Sequence, residues 1–109
     1  MAQIDFSERL ERLEAFEERL QIRLEGLYVV LDDEDNDITI RGELHPIEGT
    51  ALRMNIGLVA VAYDSVGRVI KTDDHMFLMR KFFGFEVFSL YLSCPHVKVS
   101  KIRLYPKEL

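Results

Sequence analysis

From Leu52 to Tyr63 the side chains alternate, with Leu52, Met54, Ile56, Leu58, Ala60 and Ala62 on one face and Arg53, Asn55, Gly57, Val59, Val61 and Tyr63 on the other. A period of two predicts a strand. The second face turns apolar at Val59, so the far half of this strand asks for cover on both sides. Asp64-Ser65-Val66-Gly67 supplies turn chemistry, and Arg68 to Lys71 resume an extended pattern, which completes a central hairpin.

Ahead of it, Phe6, Leu10, Leu13, Phe16, Leu20 and Leu24 recur at the spacing of an amphipathic helix. Asp5 with Glu8 forms a capping signal, Arg19 and Arg23 suit the negative end, and Gly26 stands where a left-handed residue would stop the helix. The spacing predicts a helix over 6–25, packed in cis on a sheet in preference to a two-chain coiled coil, because the repeat averages the straight-helix period. Leu27 to Leu31 and Asp37 to His45 read as a strand pair, the second with Ile38, Ile40, Gly42 and Leu44 on one face. Phe88, Leu90 and Leu92 share one face of a later strand, and Phe85, Val87 and Tyr91 with Ser89 share the other. This strand therefore also lacks a cover, for which the N-terminal helix is the expected source. Val97 to Tyr105 closes the chain as an edge strand guarded by Lys98, Lys101 and Arg103.

These elements imply a mainly β chain: an antiparallel immunoglobulin- or fibronectin-like β-sandwich of about seven strands over 27–109, preceded by a helical segment over 1–26. A length of 109 residues with 48% hydrophobic side chains suits one core. The single cysteine excludes an intramolecular disulfide, and no apolar run reaches the ~18–20 residues of a membrane span. The first twenty residues lack the basic-then-apolar order of a secretory signal, from which a cytoplasmic address is expected. The net charge of −5 is uneven, with 12 acidic against 4 basic residues over 1–37 and 7 against 10 over 38–109. It speaks against nucleic acid as a partner and for an acidic third that folds onto a basic remainder.

Candidate chemistry is sparse. Asp32-Asp33-Glu34-Asp35-Asn36-Asp37 groups carboxylates as a calcium loop does, but Ile38 stands where the turn glycine is needed, so a solvated acidic loop is expected. Cys94 and His96 pair a thiol with an imidazole across Pro95, and with His75 and Asp73 they are the residues a small enzyme or a metal-dependent protein would use. No third group is placed to orient the imidazole, no ligand spacing lies within one element, and no phosphate-binding glycine loop occurs. Catalytic residues, metal ligands and cofactors are therefore not expected. Met76 to Phe85 holds four phenylalanines and two methionines, more than one inward strand face absorbs. Arg80, Lys81, Phe82 and Phe83 are the resulting protein-interaction candidates, with a second copy of the chain as the expected partner.

From Leu27 to Tyr105 the chain resembles the FxLYD-type bacterial immunoglobulin-like domains, through Gly42, Tyr63-Asp64, Gly67 and Phe88. Ala60 and Ala62 stand where that motif has Phe and Leu. The resemblance implies a β-sandwich with a binding or scaffolding role and no catalytic residues to carry over. The functional expectation is a non-catalytic interaction module of adaptor, inhibitor or immunity type.

Overall fold

The computed structural model describes residues 2–109, so Met1 of the expected N-terminal segment lies outside the described residues. Strands β1 (Gln3–Asp5), β2 (Leu10–Arg12), β3 (Ile22–Asp32), β4 (Asp37–Pro46), β5 (Ile56–Tyr63), β6 (Val69–Phe77), β7 (Glu86–Ser93) and β8 (Lys101–Glu108) account for most of them. One short α-helix, α1 (Glu14–Arg19), lies between β2 and β3. The strands form two four-stranded sheets, ordered β1-β3-β4-β7 and β2-β8-β5-β6. Every pairing is antiparallel except that of β2 with β8. The alternation read in the sequence explains the layers: Ile38, Ile40 and Leu44 of β4 meet Phe88, Leu90 and Leu92 of β7, with Ile56, Leu58, Ala60, Ala62, Ile102 and Leu104 of the other sheet, in one buried core. The chain is a β-sandwich. Among the described residues, no helix is long and apolar enough to cross a membrane.

The central hairpin forms as expected, with β5 beginning at Ile56 and Leu52 buried just before it. At its turn Asp64 Oδ1 accepts from the Val66 and Arg68 backbone N–H groups at 3.0 and 2.9 Å, and Gly67 takes φ +88°. β6 runs on to Phe77, past Lys71 and through Asp73-Asp74-His75, further than the extended pattern of Arg68 to Lys71 implies. It is an edge strand, and Lys71, Asp73 and His75 lie opposite inward-facing Ala62, Ala60 and Leu58 in the register, so polar residues occupy its inner side where the sheet ends.

The expected helix over 6–25 is largely replaced. Asp5 is not the cap residue: its Oδ1 accepts the Ser7 N–H at 2.9 Å in a local turn, and the element that follows is a 3-10 turn, Ser7–Arg9, whose N-cap position is Phe6 without a side-chain cap bond. Strand β2 comes next, and α1 spans six residues before Gln21 stops it at φ +62°. Ile22 and Leu24 belong to β3, where they are buried while Arg23 and Glu25 face out. Gly26, at φ +61°, sits in a bulge between Glu25 and Tyr28. The helical period lost to the period-two pattern that starts at Ile22, because strand pairing with β4 buries those side chains, while helix propensity is a weak local preference. The last strand also differs from expectation. β8 is flanked by both β2 and β5 over Ile102–Leu104, so its cations do not guard a free edge there.

Candidate interaction face

With the long helix absent, the second face of β7 stays uncovered. Register places its outward residues beside those of β4 and β3: Val87 beside Glu43 and Glu25, Ser89 beside Arg41 and Tyr28, and Tyr91 beside Thr39 and Val30. Val87 is 67% exposed, and Tyr91, Phe85 and Tyr28 are each about half exposed. Polar contacts fix several of these groups. Arg41 Nε donates to Ser89 Oγ at 3.2 Å, and the Tyr91 hydroxyl donates to Asp37 Oδ2 at 2.5 Å, which pushes the phenol pKa up. At the far end the Phe85 ring stacks on His45, with centroids 5.1 Å apart and planes 8° from parallel.

The interaction candidates divide. Arg80 and Lys81 are exposed on a 3-10 turn, Met79–Lys81, anchored by Met79 N–H to Asn55 Oδ1 at 2.8 Å. Phe82 is 6% exposed and part of the core, so it is not available to a partner. Phe83 is 80% exposed. Gly84 separates it from the exposed strip of β7, held at φ +80° by its N–H to the Thr50 carbonyl at 2.7 Å. Phe85, Val87 and Tyr91 thus line one side of the β1-β3-β4-β7 sheet, with exposed Phe83 beyond the turn at Gly84.

On the same face Glu25 and Glu43 are cross-strand partners, and with His45 they bring three potential ligand atoms within 4.8 Å of one another. Like charges directly opposite repel unless something neutralises them. Arg23 does so for Glu25, holding its carboxyl below the usual range, while His45 Nε2 lies 2.9 Å from Glu43 Oε1. The trio is therefore an internally paired network. It is the one group of three potential ligands among the described residues, so Cys94, His96, His75 and Asp73 do not converge as such a set. Each of those four has another setting. Cys94 is buried, and burial pushes its thiol pKa up, the opposite of what a nucleophile requires. His96 is exposed in a turn at φ +65°. The His75 ring lies 4.6 Å from that of Phe77, and Asp73 Oδ2 accepts the Tyr91 N–H at 2.8 Å. In the acidic loop the Asn36 side chain donates to the Cys94 and Val97 carbonyls, tying 32–37 to the last connection.

The sequence showed that β7 is apolar on two faces but not that one would remain bare. The His45–Phe85 stack and the Glu25–Glu43 pair depend on cross-strand register, which no local pattern states.

The chain matches no protein-family model and no curated protein. Among solved structures it is similar to part of a protein from Bacteroides fragilis assigned as a beta-galactosidase, at 17% identity and TM-score 0.43 over 77% of this chain and 16% of that one. It is likewise similar to part of a glycosyl hydrolase family 2 member from Bacteroides cellulosilyticus, at 12% identity and TM-score 0.46 over 81% of this chain and 14% of that one. The chain spans about one sixth or less of the length of these neighbours.

Proposed function

We propose that the chain is a non-catalytic interaction module of immunoglobulin-like build, which pairs with a second copy of itself through the outer face of the β1-β3-β4-β7 sheet. The observation that carries this reading is the run of exposed Phe85, Val87 and Tyr91 along one side of that face, with exposed Phe83 next to it in the chain. Large rigid apolar groups near the centre of a contact contribute most of its free energy, each on the order of 2 kcal/mol. A second copy is favoured as the partner because the face mixes both charges, Glu25 and Glu43 with Arg23 and Arg41. A two-fold contact can set each sign against its opposite. Arg80 and Lys81 flank Phe83 as a cationic rim.

The immunoglobulin-like assignment is supported by strand order. Counted from β3, the sheets read first-second-fifth and sixth-third-fourth, the order of A-B-E and F-C-C′ in that fold. The FxLYD resemblance remains part of the proposal, supported by Tyr63-Asp64 closing β5 into the Gly67 turn and by Phe88 in the core.

Light scattering across a concentration series tests the pairing. The wild-type chain is expected to be a dimer at micromolar concentration. Phe83→Ser combined with Val87→Ser is expected to give a folded monomer whose melting temperature no longer rises with protein concentration, since both residues are exposed and not part of the core. A wild-type chain that stays monomeric at high micromolar concentration overturns the proposal.

A further inference from the structure

The edge of β8 away from β5 is covered unequally. β2 pairs only with Ile102, Arg103 and Leu104, after which Leu13 donates to the Leu104 carbonyl at 3.2 Å and the chain leaves to form α1. The remaining half, Tyr105 to Glu108, has no strand on that side, and α1 stands against it. Between helix and half-strand lies an open cleft of about 260 Å³.

Three features distinguish this cleft from an unfinished sheet edge. The first is Pro106. The Leu104 backbone points toward β2, so that of Pro106, two residues on, points into the cleft, and it has no N–H to offer an added strand. The second is a fixed wall. A six-residue helix does not persist alone, but Glu17 of α1 is buried and held by both Nη2 and Nε of Arg12, at 2.7 and 3.2 Å, on the strand that leads into it. The third is the lining. Phe16 meets Tyr105 edge to face, with centroids 6.0 Å apart and planes at 80°, yet stays 47% exposed, and Leu20 and Pro106 extend the apolar surface. Arg19, Lys107 and Glu108 also line the cleft, two cations against one carboxylate, and none of the three is in an ion pair among the described residues.

We propose that this cleft binds a small planar aromatic carboxylate, with its ring against Phe16, Leu20, Tyr105 and Pro106 and its carboxylate between Arg19 and Lys107. The excess of one cation, Arg19 and Lys107 against Glu108, favours an anion, and size chooses one or two rings, because the volume lies just below that of ordinary ligand sites and leaves no room for a nucleotide. The site is on a different part of the molecule from the Phe83–Tyr91 strip and does not rest on the dimer.

The test is a titration of the full chain with 2-naphthoate, followed by calorimetry and by amide chemical shifts, beside the neutral 2-naphthalenemethanol. Saturable one-to-one binding is expected, with shifts confined to 13–20 and 104–109 and with the alcohol about tenfold weaker or worse. Arg19→Gln with Lys107→Gln should weaken naphthoate about tenfold while leaving the melting temperature unchanged, and Phe16→Ala should weaken both probes together. If the double variant melts lower, the single variant at exposed Lys107 carries the same test. Absence of saturation, equal affinity for acid and alcohol, shifts centred on Phe83 and Val87, or binding of an acidic aromatic peptide but not of naphthoate would each overturn the proposal.

Discussion

Adjacent Phe82 and Phe83 show how far two identical side chains can diverge when backbone geometry separates them. The first is anchored in the core beneath the Met79–Lys81 turn, and the second is almost fully solvated. Burying a phenylalanine removes its area from water once, and cutting it back to alanine also leaves a void. Phe82→Ala is therefore expected to lower unfolding free energy by about 3 kcal/mol, whereas Phe83→Ala, at concentrations low enough to keep the chain monomeric, should shift it by less than about 0.5 kcal/mol. Urea titrations of both variants measure the contrast, and equal effects would mean that the two rings share one environment. The sequence composition shows that four phenylalanines in ten residues are too many for one face. Phe77 and Phe82 face in, and Gly84, with its positive φ and its bond to Thr50, turns the chain between exposed Phe83 and Phe85.

At the scale of elements, the legible part is the part that depends on neighbours in sequence. Alternation locates β4, β5 and β7, and Asp64 with Gly67 locates the turn of the central hairpin. The illegible part depends on partners far away. The N-terminal stripe has good helical spacing, but Ile22 and Leu24 gain more from lying opposite Pro46 and Leu44 of β4 than from a helix face. Gly26 is legible as a left-handed position, but the device it serves is a bulge and not the stop of a helix. The candidate face is legible only as surplus apolar character, and the cleft beside β8 is not legible at all, because it depends on where α1 ends and on how little of β8 is covered by β2.

The hairpin turn gives a prediction at this scale. Asp64 accepts from the backbone N–H groups of Arg68 and Val66 and from the Arg68 guanidinium, the Arg68 N–H contributing most, so its carboxyl lies below the ordinary 3.8. A carboxylate with a depressed folded pKa contributes stability that is fully present above the unfolded value and is lost as pH falls through the folded one. Asp64→Asn should thus lower the urea midpoint at pH 7, and the gap from wild type should narrow as pH falls to about 2. A gap that holds constant across that range would show that the charge of Asp64 plays no part.

For the molecule as a whole, the question is what residues 2–12 do. They are not a preface to the sandwich, since β1 extends one sheet along β3 and β2 extends the other along β8. Between them the chain crosses the open side of the sandwich, fastened by Phe6 N–H to the Val29 carbonyl at 2.9 Å and by Val29 N–H to Ser7 Oγ at 3.0 Å. Phe6 and Leu10 pack against the core as they pass. Removing 2–12 would expose those apolar contacts, bare two strand edges at once, and take away Arg12, the partner of buried Glu17. Partial burial of one phenylalanine and one leucine alone contributes about 2–3 kcal/mol, and a buried carboxylate left without its cation adds to the loss. A chain starting at Leu13 is therefore expected to unfold at a urea midpoint well below that of the full chain and to aggregate through the bared edges of β3 and β8. Thermal melting and light scattering on the two chains decide the matter: if the shortened chain melts within a degree or two of the full one and stays dispersed, the N-terminal segment is an appendage and the two sheets hold together without it.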